Sequence, residues 1–217
     1  MIRQAFEKDL QNLQEDVLVL GDRVADNIVD AVNILKKRDL YDARQLIAAD
    51  RLINKKRIEL EMTCFTLLAT QQPMAGDLRT IASMLAIVIE LERINDYAKG
   101  IGRVTLMLGR EPLLKPLVDI PIMAEKAQSM LERSLVAFSQ RNEALARAIP
   151  PEDDEVDTLY NKVFQELMQK VIADPTAVDQ ANYLLWVAHN LERTADRVIN
   201  ICERVVYMVT GELTELG

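Results

Sequence analysis

The chain has 217 residues, 49% of them hydrophobic, with a formal net charge of -8. That length suits one large domain or two of about 100 residues, and the apolar share suffices for a full core. The negative charge argues against nucleic acid as a partner, because Lys and Arg are spread among Asp and Glu along the sequence instead of forming a basic patch.

Gly and Pro number 7 each and aromatics are 5%, while Leu and Ala are the commonest residues and Glu and Arg are frequent. This is the composition of helices, so the fold class expected is all-α. Six long helical segments are predicted. The first runs from about Ala5 to Lys37. Asp39 is expected to cap a second that reaches Thr70 and is broken by Gln71-Gln72-Pro73. Asp77 is expected to cap a third, closed by Gly109 as a C-cap glycine. The stretch from Glu111 to Pro121 carries Pro112, Pro116 and Pro121 and marks the domain boundary. It divides the chain into 1–111 and 112–217. A fourth segment runs from about Met123 to Gln140. Asn142 is expected to cap a fifth, which Pro150-Pro151 must kink or interrupt before Asp174-Pro175 ends it. The sixth reaches Thr210, with Gly211 behind it.

The halves repeat. Asp39 and Asn142 lie 103 residues apart, as do Asp50-x-x-x-Asn54 and Asp153-x-x-x-Asp157. Pro73-x-Ala75-x-Asp77 recurs as Pro175-x-Ala177-x-Asp179 at a distance of 102, and Leu91-Glu92-Arg93-x-x-Asp96 as Leu191-Glu192-Arg193-x-x-Asp196 at 100. A near-constant offset predicts two tandem three-helix bundles.

Residues four apart share a helical face, so Glu92 projects with Asp96 and Glu192 with Asp196. Like charges at that spacing beside apolar stripes carry a cost that a neighbouring cation must offset. The second helix of each half adds oxygens: Asp50 and Asn54, then Asp153 and Asp157. The two quartets are candidate metal sites, since carboxylate oxygens are suitable ligands, although acidic pairs of this spacing also arise by accident. The rival readings are a metal-binding or metal-storage protein and a metal-free helical scaffold. The single histidine, His189, precedes Glu192 in the reverse order of a di-iron motif and is expected to be exposed or satisfied. Cys64 and Cys202 read as buried free thiols, consistent with a cytoplasmic chain. The opening residues MIRQAFEKDL have no apolar signal region, and the longest nearly uncharged apolar stretch, Thr80 to Ile89, is too short to span a bilayer.

Gln72-Pro73-x-Ala75-x-Asp77-Leu78-Arg79, Glu90-Leu91-Glu92-Arg93-Ile94-x-Asp96, Leu191-Glu192-Arg193-x-x-Asp196-Arg197 and Asn200-Ile201-Cys202-Glu203 together resemble the PhoU family of phosphate-transport regulators. The resemblance covers nearly the whole chain. It implies two three-helix bundles and a negative regulator of phosphate uptake and the phosphate-starvation response, not an enzyme. It implies partners in the phosphate ABC transporter ATPase and the sensor histidine kinase, with no membrane insertion, and a homodimer. It also implies a multinuclear iron or zinc cluster on Asp50, Asn54, Glu92 and Asp96 and on Asp153, Asp157, Glu192 and Asp196. Two departures set the halves apart. Asp30 on the first helix has Arg133 as its repeat counterpart, and Pro150-Pro151 distorts the helix before Asp153. The first site is therefore expected to keep the acidic surround a cation needs, and the second to be satisfied by protein charge.

Overall fold

The computed structural model describes residues 2–217, with side chains from Gln4 onward. Among them every regular element is helical: α1 Ile2–Lys37, α2 Leu40–Gln71, α3 Ala75–Leu108, α4 Asp119–Gln140, α5 Glu143–Ala148, α6 Asp153–Ala173 and α7 Val178–Thr210. On α1, Leu13, Val17, Leu20, Val24, Ile28 and Leu35 recur every three, four or seven residues and are all buried. α2 buries a narrower seam of Ala43, Asp50, Ile53, Leu60, Cys64 and Leu67. It lies outermost in its bundle and leaves Leu52, Ile58, Met62 and Phe65 exposed. α3 and α7 bury residues around most of their circumference and pack most extensively on each other.

The caps follow the repeat. The Asp39 carboxylate accepts from the backbone N–H groups of Tyr41 and Asp42, and the Asn142 side chain accepts from that of Leu145. Asp77 is not a cap. α3 starts two residues earlier, Met74 holds the cap position, and Asp77 sits in the first turn, where its charge complements the helix dipole. α4 likewise begins before the expected Met123, because Pro121 falls in the first turn, where no amide donor is needed. Pro150-Pro151 divides the fifth predicted segment. A 3-10 turn over Pro150–Glu152 separates α5 from α6.

Two three-helix bundles result, α1-α2-α3 and α4-α5/α6-α7, joined by one continuous apolar core. α1 and α3 of the first face α4 and α7 of the second. Gly21 permits a close approach, since a Cβ there would lie 2.5 Å from Leu135 Cδ1 on α4. A polar seam also crosses the junction: Glu90 Oε2 on α3 accepts from Arg197 and Asn200 on α7, and Arg197 Nε donates to the Tyr97 hydroxyl. Cys64 and Cys202 are buried free thiols, and burial pushes them up to about 11 and about 12. Among the described residues no helix is long and apolar enough to cross a membrane.

Candidate functional site

Both quartets assemble where the second helix of each half meets the third, and their contents differ. In the first, Asp50 projects from α2 and is almost fully buried, with 8% of its side chain exposed. Asn54 Nδ2, one turn on, donates to Asp50 Oδ2 at 3.0 Å. From α3, Lys99 Nζ donates to Asp50 Oδ2 at 2.6 Å and to Asp96 Oδ1 at 2.7 Å. Asn95 Nδ2 donates to the other Asp50 oxygen at 2.9 Å, and Asn27 Nδ2 on α1 donates to Asn95 Oδ1 at 2.7 Å. A hydrogen-bonded chain thus runs through all three helices and ends on a neutralised carboxylate. Burial disfavours the Lys99 ammonium, but its bonds to Asp50 and Asp96 outweigh that and raise its pKa. Glu92 completes the group. Burial raises its pKa and Asp96 adds to the effect, while Arg57 and Lys99 oppose it.

The second quartet lacks the ammonium. Asp153 opens α6, Asp157 stands one turn on, and Glu192 and Asp196 face them from α7. Burial first, then Asp157, Asp196 and Glu192, push the Asp153 carboxyl up to about 6. Asp157 and Glu192 are raised too, each by burial and then by Asp196. Asp153 Oδ1 and Glu192 Oε2 are buried without a hydrogen-bond partner. His189 Nδ1 stands 3.2 Å from Glu192 Oε2 without the alignment of a hydrogen bond, so it helps only when protonated. The histidine is half exposed, and its ring lies against Tyr160 at 6.2 Å between centroids. Arg193 reaches only Asp196, at 2.8 Å.

This reverses the expected asymmetry. Arg133 does not serve the second cluster. Both its terminal nitrogens hold Glu152 in the turn before α6, Nη1 at 2.7 Å from Oε1. The protein cation stands in the first cluster instead. Lys99, Asn95 and Asn27 were missed by sequence reasoning, though comparing the repeats would have exposed two of them. At the offset of 100 that aligns Glu92 with Glu192, Lys99 meets Ile199 and Asn95 meets Ala195.

Among the described residues no group of three or more His, Cys, Asp or Glu is already placed to hold a metal ion. The donor chemistry nevertheless separates the two sites. In the first, the Lys99 ammonium already bridges Asp50 and Asp96. The second has four carboxylates, two buried oxygens without hydrogen-bond partners and carboxyls that burial and mutual repulsion raise, which fits a bound cation.

Fold and site define a class: tandem three-helix repeats, each with a carboxylate cluster between its second and third helices. The family model described as "PhoU domain" matches residues 17–105 and again 120–205. The phosphate-specific transport system accessory protein PhoU homolog of Clostridium acetobutylicum is 36% identical over 218 residues, covering 100% of both chains. That of Aquifex aeolicus is 35% identical, over 96% of this chain and 94% of its own. The crystal structure of the phosphate transport system regulatory protein PhoU from Streptococcus pneumoniae superposes with a TM-score of 0.90 at 32% identity, covering 97% of this chain and 100% of that one. The chain belongs to the PhoU family.

Proposed function

We propose that this protein is a regulatory accessory component of phosphate transport. It restrains phosphate uptake and the starvation response by contacting the transporter ATPase and the sensor histidine kinase from the cytoplasmic side. The supporting observation is full-length similarity to relatives named as accessory or regulatory proteins of phosphate transport, across both repeats. The exposed Leu52, Ile58, Met62 and Phe65 on α2 give such an adaptor an apolar face for a protein partner or a second copy of itself. In this reading the protein is an adaptor without catalysis of its own.

Asp153, Asp157, Glu192 and Asp196 would hold a metal, iron or zinc. Asp50, Asn54, Glu92 and Asp96 would do so only after Lys99 is displaced. A bound cation would supply the positive charge the second quartet lacks and tie α6 to α7. Asp153 Oδ1 and Glu192 Oε2, buried without hydrogen-bond partners, would be among its ligands.

Co-purification with the ATPase and the kinase, and phosphate control in a deletion strain, test the regulatory reading. If neither partner is retained and the deletion leaves phosphate uptake unchanged, it fails. Elemental analysis of protein prepared without chelator tests the metal. The expected result is metal lost on Asp153→Asn with Asp196→Asn but kept on Asp50→Asn. Metal at many ions per chain would point to storage instead.

A further inference from the structure

The turn between α1 and α2 gathers cations that the sequence reading saw only as dispersed. A cleft of about 730 Å³ there is lined by Lys37, Arg38, Asp39, Tyr41, Arg44 and Arg110, among others. They come from three segments: the end of α1, the start of α2 and the chain just beyond α3. Arg38 is fixed in place, with Nη1 donating to the carbonyls of Arg110 and Glu111 at 3.1 and 3.0 Å. Asp39 is the acid that lines the cleft, and its carboxylate is engaged by the Tyr41 and Asp42 amides. Asp42 and Asp30 line the neighbouring groove, which Lys37 also borders, and Glu111 is exposed beside Arg110. Lys37, Arg44 and Arg110 form no ion pair among the described residues, in a chain where 34 acids outnumber 26 bases.

A basic last turn on α1 is explained by the helix dipole alone, and that covers Lys36 and Lys37. It does not cover Arg44 or Arg110. The second half provides an internal control. At the repeat offsets of 103 and 102, Lys37 meets Gln140, Tyr41 meets Ala144 and Arg110 meets Glu212. The two arginines that persist there are occupied: Arg141 donates to Thr80 Oγ1 at 2.9 Å, and Arg147 pairs with Glu143 at 2.8 Å. The free cations therefore belong to one half and are not a requirement of the turn.

We propose that this cleft binds a small polyanion of the nucleoside polyphosphate class. Its phosphates are held by Lys37, Arg44 and Arg110 around the fixed Arg38, and its base lies against Tyr41, a residue 68% exposed. Arginine and lysine supply the charge-assisted donors phosphoryl oxygens require. The cleft volume falls in the range of about 300–1,000 Å³ usual for small-molecule sites, more room than orthophosphate needs.

Equilibrium dialysis of the full chain against magnesium-free ATP, pyrophosphate and orthophosphate tests it, with co-sedimentation on anionic phosphatidylglycerol vesicles as a separate arm. ATP is expected to bind saturably, weakening at least about tenfold in Arg44→Glu with Arg110→Glu, whose side chains are exposed. Arg110→Gln alone, outside any helix, should weaken it in the same direction. Arg147→Glu should leave binding unchanged. Tyr41→Ala should weaken ATP and spare pyrophosphate. The proposal is overturned by no saturable ATP binding, by binding undiminished in the arginine variants, or by orthophosphate binding as tightly as ATP. Retention on the vesicles alone would overturn it too, assigning the cleft to a lipid surface.

Discussion

Lys99 and Ile199 occupy matched positions on α3 and α7, one turn beyond Asp96 and Asp196. Around Lys99 the acids are bridged, and Asp50 takes hydrogen bonds from Lys99, Asn54 and Asn95. Around Ile199 Arg193 pairs with Asp196 and His189 stands beside Glu192, but neither bridges the two helices, and two buried oxygens stay without hydrogen-bond partners. A duplicated scaffold can thus carry the same carboxylates on the same faces and give them opposite characters, one a finished structural node and the other a site short of positive charge. Burial makes the stakes large at Asp50, because an unpaired charge in a low dielectric is far costlier than on an open surface, whereas the second cluster is only partly buried and Asp157 is exposed.

The comparison breaks most directly at Lys99. Lys99→Met leaves Asp50 buried without its counter-charge and should destabilise the protein by about 3 kcal/mol or more, read from the urea unfolding midpoint. A loss below 1 kcal/mol, on the order of an exposed pair, would mean the first cluster is not the self-contained node described. Next comes Asn95→Ala, which strands Asn27 and removes a donor from Asp50. It should cost about 2 kcal/mol.

The second cluster should show itself in pH dependence. In protein stripped with chelator, the folded Asp153 carboxyl titrates at about 6, above the roughly 3.9 of an unfolded chain. Between those values the folded state binds more protons than the unfolded one, so stability falls as pH rises through about 4 to 6 and stays lost above. After allowance for solvent screening the loss is about 1–2 kcal/mol, and Asp157 and Glu192 act in the same direction. Asp153→Asn should restore stability at pH 7 and flatten this limb. A pH profile identical to that of the parent would contradict the assignment.

Ile199→Lys copies the first cluster's cation into the second. The expected gain is about 1 kcal/mol at pH 7, with reduced metal uptake by elemental analysis. The smallest effect belongs to Arg133→Gln, below about 1 kcal/mol, because the lost pair with Glu152 is part-exposed. It should leave the acid limb of the stability curve where it was. A displaced limb would restore Arg133 as the counter-charge that the repeat alignment suggested.

The expectation about Arg133 failed for an instructive reason. An arginine aligned with Asp30 implied a cation near the second cluster, but sequence offset does not say which carboxylate a long side chain selects. The 3-10 turn that Pro150-Pro151 imposes carries Glu152, and Glu152 captures Arg133 before it can reach Asp153. Lys99 went unnoticed because a lysine three residues after an acid is commonplace on a solvated face. Only burial of Asp50 from the opposing helix makes that pairing consequential. The Asp77 cap failed for a local reason, since α3 begins two residues earlier and makes Asp77 a first-turn acid.

Helical periodicity, the two proline-rich breaks and the constant repeat offset determined the all-α architecture, and Glu92, Asp96, Glu192 and Asp196 were already on shared faces by spacing alone. Those are short-range consequences of 3.6 residues per turn and of proline's missing donor. Which cluster is bridged by a lysine, and which cations gather at the α1–α2 turn, are properties of the folded chain alone. Both depend on side chains from separate helices meeting across buried or concave surfaces, where distance and desolvation set the electrostatics.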